Sequence, residues 1–119
     1  MGHILLVSAK DEITENVPKY LSLLGYKVKS ASNPRQAMQL FDGGMNFDLI
    51  ITALERTEDA AEMVRHVRKS LLKSELPIIA LAGSDDPLGD TALFDSLLKM
   101  PFKLKILGEE VSRLEPTAE

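Results

Sequence analysis

Residues 4–7 read Ile-Leu-Leu-Val and residues 47–51 read Phe-Asp-Leu-Ile-Ile, and these two stretches decide the fold. A short apolar run without polar alternation is typical of a strand buried on both faces, as in the centre of a parallel sheet. A third stretch, Leu-Pro-Ile-Ile-Ala-Leu, occupies residues 76–81, and its proline is tolerated because it stands near the start. The three stretches predict three inner strands.

A helix and a short strand are predicted between the first two of these strands. The apolar residues of segment 11–24 recur at helical spacing, and Gly25 is expected to end that helix. Pro18 lies inside it and is expected to bend it, because proline lacks an amide donor. Residues 26–31 form a short strand, after which Asn33-Pro34 opens a second helix in the preferred order of cap and first-turn proline.

The second half of the chain continues the alternation. Residues 60–72 are predicted to form a helix, and any helix within 83–94 is short because that segment contains proline and glycine. Residues 96–99 form a fifth strand at the sheet edge, and a last helix follows Phe102, weakened by Gly108 at its centre. Five strands alternating with helices predict a parallel sheet with right-handed crossovers and helices on both faces.

The bulk composition indicates one domain of an ordinary globular protein. The 119 residues suffice for a single core, predicted at 3–114, followed by a tail at 115–119. Eighteen acidic residues stand against fourteen basic ones, which are scattered, so nucleic acid is not expected as a partner. The sequence contains no cysteine and no long apolar run, which predicts neither thiolate metal sites nor membrane insertion, and a cytoplasmic location.

Five segments, taken together and in order, resemble the receiver-domain family of response regulators in two-component signalling. The resemblance extends from Ile4 to Leu114 and implies a flavodoxin-like (CheY-like) doubly wound sheet with the strand order 2-1-3-4-5. The segments that carry it are Ile4-Leu5-Leu6-Val7, Leu24-Gly25-Tyr26-Lys27-Val28, Phe47-Asp48-Leu49-Ile50-Ile51, Leu76-Pro77-Ile78-Ile79-Ala80-Leu81 and Lys99-Met100-Pro101-Phe102.

The resemblance also locates the acidic groups that receivers use for phosphorylation. Such domains accept a phosphoryl group on an aspartate at the end of the third strand, with a divalent cation held by that aspartate and by an acidic pair after the first strand. In this sequence the acceptor position is Ala53, and the acidic pair falls on Ser8 and Ala9. Because a methyl group can neither bind a cation nor accept a phosphoryl group, phosphorylation at Ala53 is excluded chemically.

The remaining functional positions of the family are also substituted. The hydroxyl residue after the fourth strand and the lysine before the proline, which hold the phosphoryl oxygens in the family, correspond to Ala82 and Met100. The aromatic residue that reports phosphorylation corresponds to Leu97. The resemblance therefore implies a degenerate receiver, a pseudo-receiver, that is not an enzyme and needs neither a cofactor nor a metal.

The resemblance implies a role in protein interaction, with a signalling protein or an attached output domain as the partner. The domain is expected to be a monomer or a weak dimer. By family resemblance, the expected surface comprises the segment from 88 to 94, residue 97 and the last helix. Its candidate residues are Leu88, Phe94, Leu97, Lys103 and Lys105.

Two alternative functions remain open at this point. The crevice could bind a small ligand such as a flavin or a nucleotide, although the glycines that cradle a phosphate are missing after the first strand. A displaced acid, Asp11 or Glu55, could instead be phosphorylated; a helix cap and a solvated loop are the simpler interpretations. Asp48 is predicted to lie at the amino end of its strand, away from the crevice, and Thr52 to point to the opposite face of the sheet.

Overall fold

Within the part of the chain that it describes, the computed structural model has five strands and three helices of more than two turns. The strands are β1 (His3–Val7), β2 (Lys27–Ala31), β3 (Leu49–Leu54), β4 (Ile78–Ala82) and β5 (Ser96–Lys99). The helices are α1 (Asp11–Leu23), α2 (Pro34–Asp42) and α3 (Leu104–Leu114). All strand pairs are parallel, in the order β2-β1-β3-β4-β5. The predicted doubly wound α/β fold and its strand order are thus confirmed.

The structure describes residues 2–9, 11–43, 47–54, 64–66, 69, 76–82, 94–99 and 102–114. Of the helix predicted at 60–72, residues 64–66 are helical. Of the segment 83–94, only Phe94 is described, and the tail predicted at 115–119 lies outside the described residues.

Two inner strands, β3 and β4, are shifted toward the carboxyl end relative to the sequence prediction. β3 was expected at 47–51 but spans Leu49–Leu54, because its last three residues pair with the end of β4. β4 was expected at 76–81 but begins at Ile78. Pro77 has no amide hydrogen to donate, although its carbonyl oxygen accepts a hydrogen bond from the Ile50 amide at 3.0 Å. Pairing with neighbouring strands, which apolarity alone does not reveal, therefore sets the strand ends.

Two apolar cores lie on opposite faces of the sheet. We name the core that α1 and α3 cover the first core; its buried members include Ile4, Leu6, Ile51 and Leu81. The second core lies under α2 and the helical turn 64–66; its buried members include Leu5, Val7, Phe47, Ile50, Ala37 and Val64. Alternate residues of β1 and β3 thus enter different cores, as the period of a strand requires.

The turns around α1 and α2 follow their predicted signals. Gly25 has φ 101°, a left-handed conformation that favours glycine, and it is the second residue after the end of α1. At the start of α2, the Gln36 amide donates to the side-chain oxygen of Asn33 at 2.8 Å, which confirms Asn33 as the N-cap. α1 continues through Pro18 up to Leu23, so the proline does not interrupt the helix.

Gly108 permits the close approach of α3 to α1. A Cβ atom built on Gly108 would lie 2.9 Å from Cε2 of Tyr20 and 3.0 Å from Cδ1 of Leu24, both closer than carbon atoms normally pack. The prediction that Gly108 merely weakens the last helix was therefore incomplete. Glycine lowers the helix propensity at this position, but its lack of a Cβ atom allows close packing between the two helices that cover the first core.

A small polar network joins the amino end of β5 to α3. The Ser96 hydroxyl donates to Oε1 of Glu110 at 2.7 Å, and Nη2 of Arg113 donates to the same oxygen at 2.6 Å. The hydrogen bond from Arg113 and then that from Ser96 hold the pKa of Glu110 below its ordinary value of 4.5. The ionised form of Glu110 therefore stabilises the folded state.

The substitution Glu110→Gln is expected to reduce stability at neutral pH by up to about 1 kcal/mol, because the group is partly exposed. A carboxyl group with a lowered pKa stabilises the fold above its unfolded pKa, and this contribution is lost as the pH falls through the folded pKa. Urea unfolding at neutral pH and near pH 3 should show the difference between wild type and variant shrinking in acid. Glu109→Gln, at an exposed neighbouring position, is the matched control. A difference that stayed equal at both pH values would contradict this assignment.

Candidate functional site

The candidate site lies at the carboxyl ends of β1 and β3. β1 lies between β2 and β3, so the chain runs from β1 outward to β2 on one side and later continues from β3 on the other side. In doubly wound folds, ligands bind at the carboxyl ends of the strands at such a reversal of strand order. Ser8 follows β1 directly and is buried, and its amide donates to the carbonyl oxygen of Ala31 at 2.9 Å. Ala9 is exposed at the edge. A hydroxyl and a methyl group therefore follow the first strand.

Ala53 is the second-to-last residue of β3, and its side chain faces the first core. Its residue is only 9% exposed, and it packs within the cluster that contains Ile51 and Leu81. Leu81 is also its register partner on β4. The methyl group of Ala53 is thus one more apolar group of the core, at the position where the sequence resemblance places the family's acceptor aspartate.

The structure brings together only some of the predicted site residues. Ser8, Ala53 and the backbone of Ala82 lie at the carboxyl ends of the neighbouring strands β1, β3 and β4, as expected. Leu97 lies in β5 opposite Ala80 and is partly buried. Met100 lies outside the described residues.

The side chains of Ser8, Ala9 and Ala53, which the structure describes at this edge, do not match the ligand requirements of magnesium. Mg²⁺ binds oxygen ligands, chiefly carboxylates together with water or phosphate. Ser8, Ala9 and Ala53 offer one hydroxyl and two methyl groups. Within the described ranges, no group of three His, Cys, Asp or Glu residues is arranged to hold a metal ion.

Asp48 links β1 and β3 by hydrogen bonds at the amino ends of the strands, opposite the candidate site. Its carboxylate oxygen Oδ2 accepts a hydrogen bond from the His3 amide at 2.9 Å, and its own amide donates to the His3 carbonyl at 2.7 Å. Because both residues stand at the amino ends of their strands, Asp48 cannot reach the crevice. The prediction that it is a polar residue of the strand entry is confirmed.

Thr52 occupies the other face of β3 from Ala53, as predicted. Its register partner on β1 is Val7, which belongs to the second core, whereas Ala53 belongs to the first. Thr52 is 1% exposed, and among the residues that the structure describes its Oγ1 has no hydrogen-bond partner. A buried hydroxyl without a partner is costly, and the sequence offered no signal for it because a partner depends on tertiary neighbours.

The substitution Thr52→Val is expected to stabilise the domain by about 1 kcal/mol, because it keeps the β-branched shape and removes the unpaired hydroxyl. Denaturant midpoints of purified wild type and variant provide the measurement. Thr52→Ser serves as the control, since it retains the hydroxyl and removes a buried methyl group; it should destabilise by about 1 kcal/mol. A loss of stability in Thr52→Val would mean that the hydroxyl has a bonding role after all.

The candidate interaction residues are only partly available to a partner. Phe94 is half-buried and packs against the second core, so part of its ring already contributes to the fold. Lys103 and Lys105 are exposed at the start of α3. Leu88 lies outside the described residues, as does Glu55, one of the two displaced acids. Asp11, the other displaced acid, is the first residue of α1.

Comparison with solved structures finds receiver domains. The chemotaxis response regulator CheY4 of Vibrio cholerae superposes with a TM-score of 0.82 at 24% identity, covering 96% of this chain and 98% of CheY4. The response regulator TrrA of Thermotoga maritima, solved in complex with Mg²⁺-BeF, gives 0.82 at 28% identity over 96% and 99%. The receiver domain of a signal transduction histidine kinase from Syntrophus aciditrophicus gives 0.82 at 27% over 96% and 89%.

Sequence comparison adds a curated relative. "Probable transcriptional regulator ycf27" of Cyanidium caldarium is 32% identical over 87 residues, which cover 72% of this chain and 33% of that protein. The chain thus spans about a third of the length of the curated relative it matches. No family model matches the chain. Within the described residues, no helix has the length and apolarity needed to cross a membrane.

Proposed function

We propose that this chain, which is a response-regulator receiver (CheY-like) domain, works independently of phosphorylation as a protein-interaction module of two-component signalling. In this proposal the domain is a pseudo-receiver and not an enzyme. It needs neither a cofactor nor a metal ion and presents one conformation of its surface to a protein partner. We place it in the cytoplasm, as a monomer or weak dimer.

The burial of Ala53 in the first core is the observation that carries the proposal. Phosphoryl transfer needs an oxygen nucleophile at the acceptor position and positive charge around the transferred group. The alanine methyl group provides no nucleophile, and its packing against Leu81 makes this part of the edge apolar. A dry apolar position disfavours any charged intermediate.

The residues that follow β1 support the same conclusion. A carboxylate pair at this point would supply the charge that attracts Mg²⁺. Ser8 supplies a neutral hydroxyl on a residue that is 2% exposed and already engaged within the domain, and Ala9 supplies a methyl group. With no acidic side chain at Ser8, Ala9 or Ala53, electrostatic attraction for a divalent cation is lost at three positions at once.

Incubation with acetyl phosphate and Mg²⁺, followed by intact-mass spectrometry, tests the proposal directly. We expect the mass of the chain to stay unchanged, because no acceptor carboxylate stands at position 53. TrrA of Thermotoga maritima, which has been solved with Mg²⁺-BeF, serves as the positive control. Addition of one phosphoryl mass to this chain would overturn the proposal, and peptide mapping would then show whether Asp11 or Glu55 carries the group.

A second measurement addresses the other alternative, a small ligand in the crevice. Absorption spectra and extraction of the purified native protein would reveal a bound flavin or nucleotide. We expect a colourless protein that releases no nucleotide, because the segment after β1 lacks the glycines that let backbone amides approach a phosphate. A stoichiometric chromophore would replace the interaction proposal with a ligand-binding one.

A further inference from the structure

The outer edge of β2 presents backbone groups that no other described strand pairs with. β2 stands at one end of the strand order, so β1 is its neighbour on one side and no described strand lies on the other. The Lys27 amide donates to the Gly2 carbonyl oxygen at 3.0 Å, and the Ala31 carbonyl oxygen accepts a hydrogen bond from the residue after β1 at 2.9 Å. Because alternate residues of a strand bond to the same neighbour, the amides and carbonyls of Val28 and Ser30 face outward.

Two lysines point to one face of β2. Lys27 and Lys29 alternate with Val28, which packs against the first core, so they share the face of Ala31, which belongs to the second core. Two residues along a strand place their Cα atoms about 7 Å apart. Both lysine side chains are exposed. We name Lys27 and Lys29 the β2 lysine pair.

In the part of the chain that the structure describes, no acidic side chain forms an ion pair with the β2 lysine pair. The ion pairs of that part lie within α3 and between α2 and the helical turn 64–66. Asp48 stands at the level of Lys27 but on the far side of β1, about 10 Å across the sheet between Cα atoms. Its carboxylate accepts a hydrogen bond from the His3 amide at 2.9 Å. The charge of the two lysines is thus directed to the solvent.

We propose that the outer edge of β2 binds an extended, acidic segment of a partner protein, which adds to the sheet as a sixth strand. The inference rests on the proposed interaction function and names a surface for it and the chemistry of the partner. Val28 and Ser30 each present a donor and an acceptor, and the backbone of an extended segment presents the same groups in return. Carboxylates at alternate positions of that segment lie opposite Lys27 and Lys29, where opposite charges stabilise strand pairing.

Charge and hydrogen bonding together distinguish the possible occupants of this edge. Another copy of this domain would bring its own lysine pair against the first, and like charges directly opposite each other destabilise strand pairing. The phosphate oxygens of a nucleic acid accept hydrogen bonds but cannot donate to the carbonyls of Val28 and Ser30. An acidic polypeptide satisfies both the backbone groups and the lysines.

Amide hydrogen exchange, measured residue by residue with NMR, tests the addition of a strand. In the free domain we expect the outward amides of Val28 and Ser30 to exchange faster than the amide of Lys29, which faces β1. The probe is a synthetic peptide of alternating glutamate and threonine at low ionic strength. At saturation it should slow exchange at Val28 and Ser30 at least about tenfold and leave the other outer strand, β5, unchanged. Absent binding, or binding that leaves these two amides unprotected, overturns the inference.

Charge-reversal variants test the role of the lysines. Lys27→Glu with Lys29→Glu is expected to weaken peptide binding at least about tenfold, because two attractive contacts become repulsive. Lys69→Glu with Lys99→Glu is the matched control, since it changes the net charge equally at two exposed positions outside β2. Lys27→Arg with Lys29→Arg should retain binding. Equal losses in the two charge-reversed pairs would contradict a local docking site.

A backbone substitution separates strand addition from charge attraction. Ser30→Pro removes one outward amide and keeps both lysines, and an outer strand tolerates proline where the amide faces solvent. We expect it to weaken peptide binding about tenfold, whereas Ser30→Ala, which keeps the amide, should bind like wild type. Equal binding by the two variants would contradict strand addition. If Ser30→Pro did not fold, a peptide methylated on the amide nitrogens that face β2 makes the same test from the partner's side.

Two further measurements identify the occupant. Sedimentation of the free domain should show no dimer that protects the amides of Val28 and Ser30; such a dimer would make another copy the occupant. A single-stranded oligonucleotide with the same charge as the peptide should bind more weakly than the peptide. If it bound more tightly, nucleic acid would replace the acidic polypeptide as the assigned partner.

The strand-addition and phosphorylation experiments fail independently. A phosphoryl mass after incubation with acetyl phosphate would remove the proposed function without changing the protection at β2. Absent protection at β2 would remove this inference and leave the mass result unchanged.

Discussion

Ala53→Asp is expected to destabilise the domain by about 3 kcal/mol at neutral pH, because it puts a carboxylate into an apolar environment without a counter-charge. Ala53 is packed with the first core beside Leu81, and the positions after β1 hold Ser8 and Ala9. The folded-state pKa of the new carboxyl group should lie above its unfolded value. The penalty is then complete above the folded pKa and disappears as the pH falls below the unfolded pKa.

Denaturant unfolding near pH 7 and near pH 4 measures this effect. Ala53→Asn is the matched control, since it has nearly the same size and cannot ionise; its cost should be smaller and independent of pH. If Ala53→Asp were as stable as wild type and gained a phosphoryl group from acetyl phosphate, this edge of the sheet would be able to support phosphoryl transfer. The interaction proposal would then lose its main support.

Phe47→Ala is expected to cost about 3–5 kcal/mol, since Phe47 is among the largest fully buried side chains and lies in the second core. Phe94→Ala should cost less, about 1–2 kcal/mol, because Phe94 is only half-buried against the same core. Urea midpoints of the two variants give both values. The comparison shows how much the burial of the Phe94 ring contributes to the stability of the fold.

The comparison decides how Phe94 can be used in binding experiments. If Phe94→Ala cost as much as Phe47→Ala, Phe94 would be a core residue and its place in the interaction surface would be wrong. If the cost is small, a loss of partner binding in Phe94→Arg reports on contact and not on unfolding. The exposed residues Lys103 and Lys105 avoid this ambiguity, because their substitution leaves both cores intact.

The sheet was predictable because its inner strands have a strong sequence signal. The apolar runs at 4–7, 47–51 and 76–81 identified β1, β3 and β4, and the alternation with helices implied parallel pairing. The strand ends were less accurate, because they depend on which residues pair across the sheet. Thr52 pairs with both β1 and β4, and Ala53 and Leu54 extend the strand by pairing with β4; no local pattern contains that information.

The candidate site was predictable where it depends on residue identity. The resemblance predicted the positions of Ser8 and Ala53 in the fold. They directly follow Val7 and Thr52, which are register partners at the carboxyl ends of β1 and β3. Two features could not be predicted because they depend on contacts distant in sequence. Gly108 of α3 meets Tyr20 of α1 and Leu24 just after that helix, and the Thr52 hydroxyl lacks a partner within the described residues because of what surrounds it.

Under this proposal, a receiver without its phosphorylation groups has a different mode of regulation. A phosphorylated receiver changes the population of two surface conformations, whereas a domain that binds neither cation nor phosphoryl group offers no ligand to bias such an equilibrium. Control must then come from the concentration of the domain or its partner, or from competition for the same surface.

The exposed lysines of β2 affect the behaviour of this domain in concentrated solution. An outer strand presents unsatisfied amides and carbonyls that can recruit strands from other molecules and start fibril growth. Lys27 and Lys29 stand on such a strand, and a second copy approaching in register would place ammonium groups side by side. Repulsion between these ammonium groups should prevent two β2 strands from pairing. Substitution of both Lys27 and Lys29 by neutral residues would therefore increase the risk of amyloid-like polymerisation.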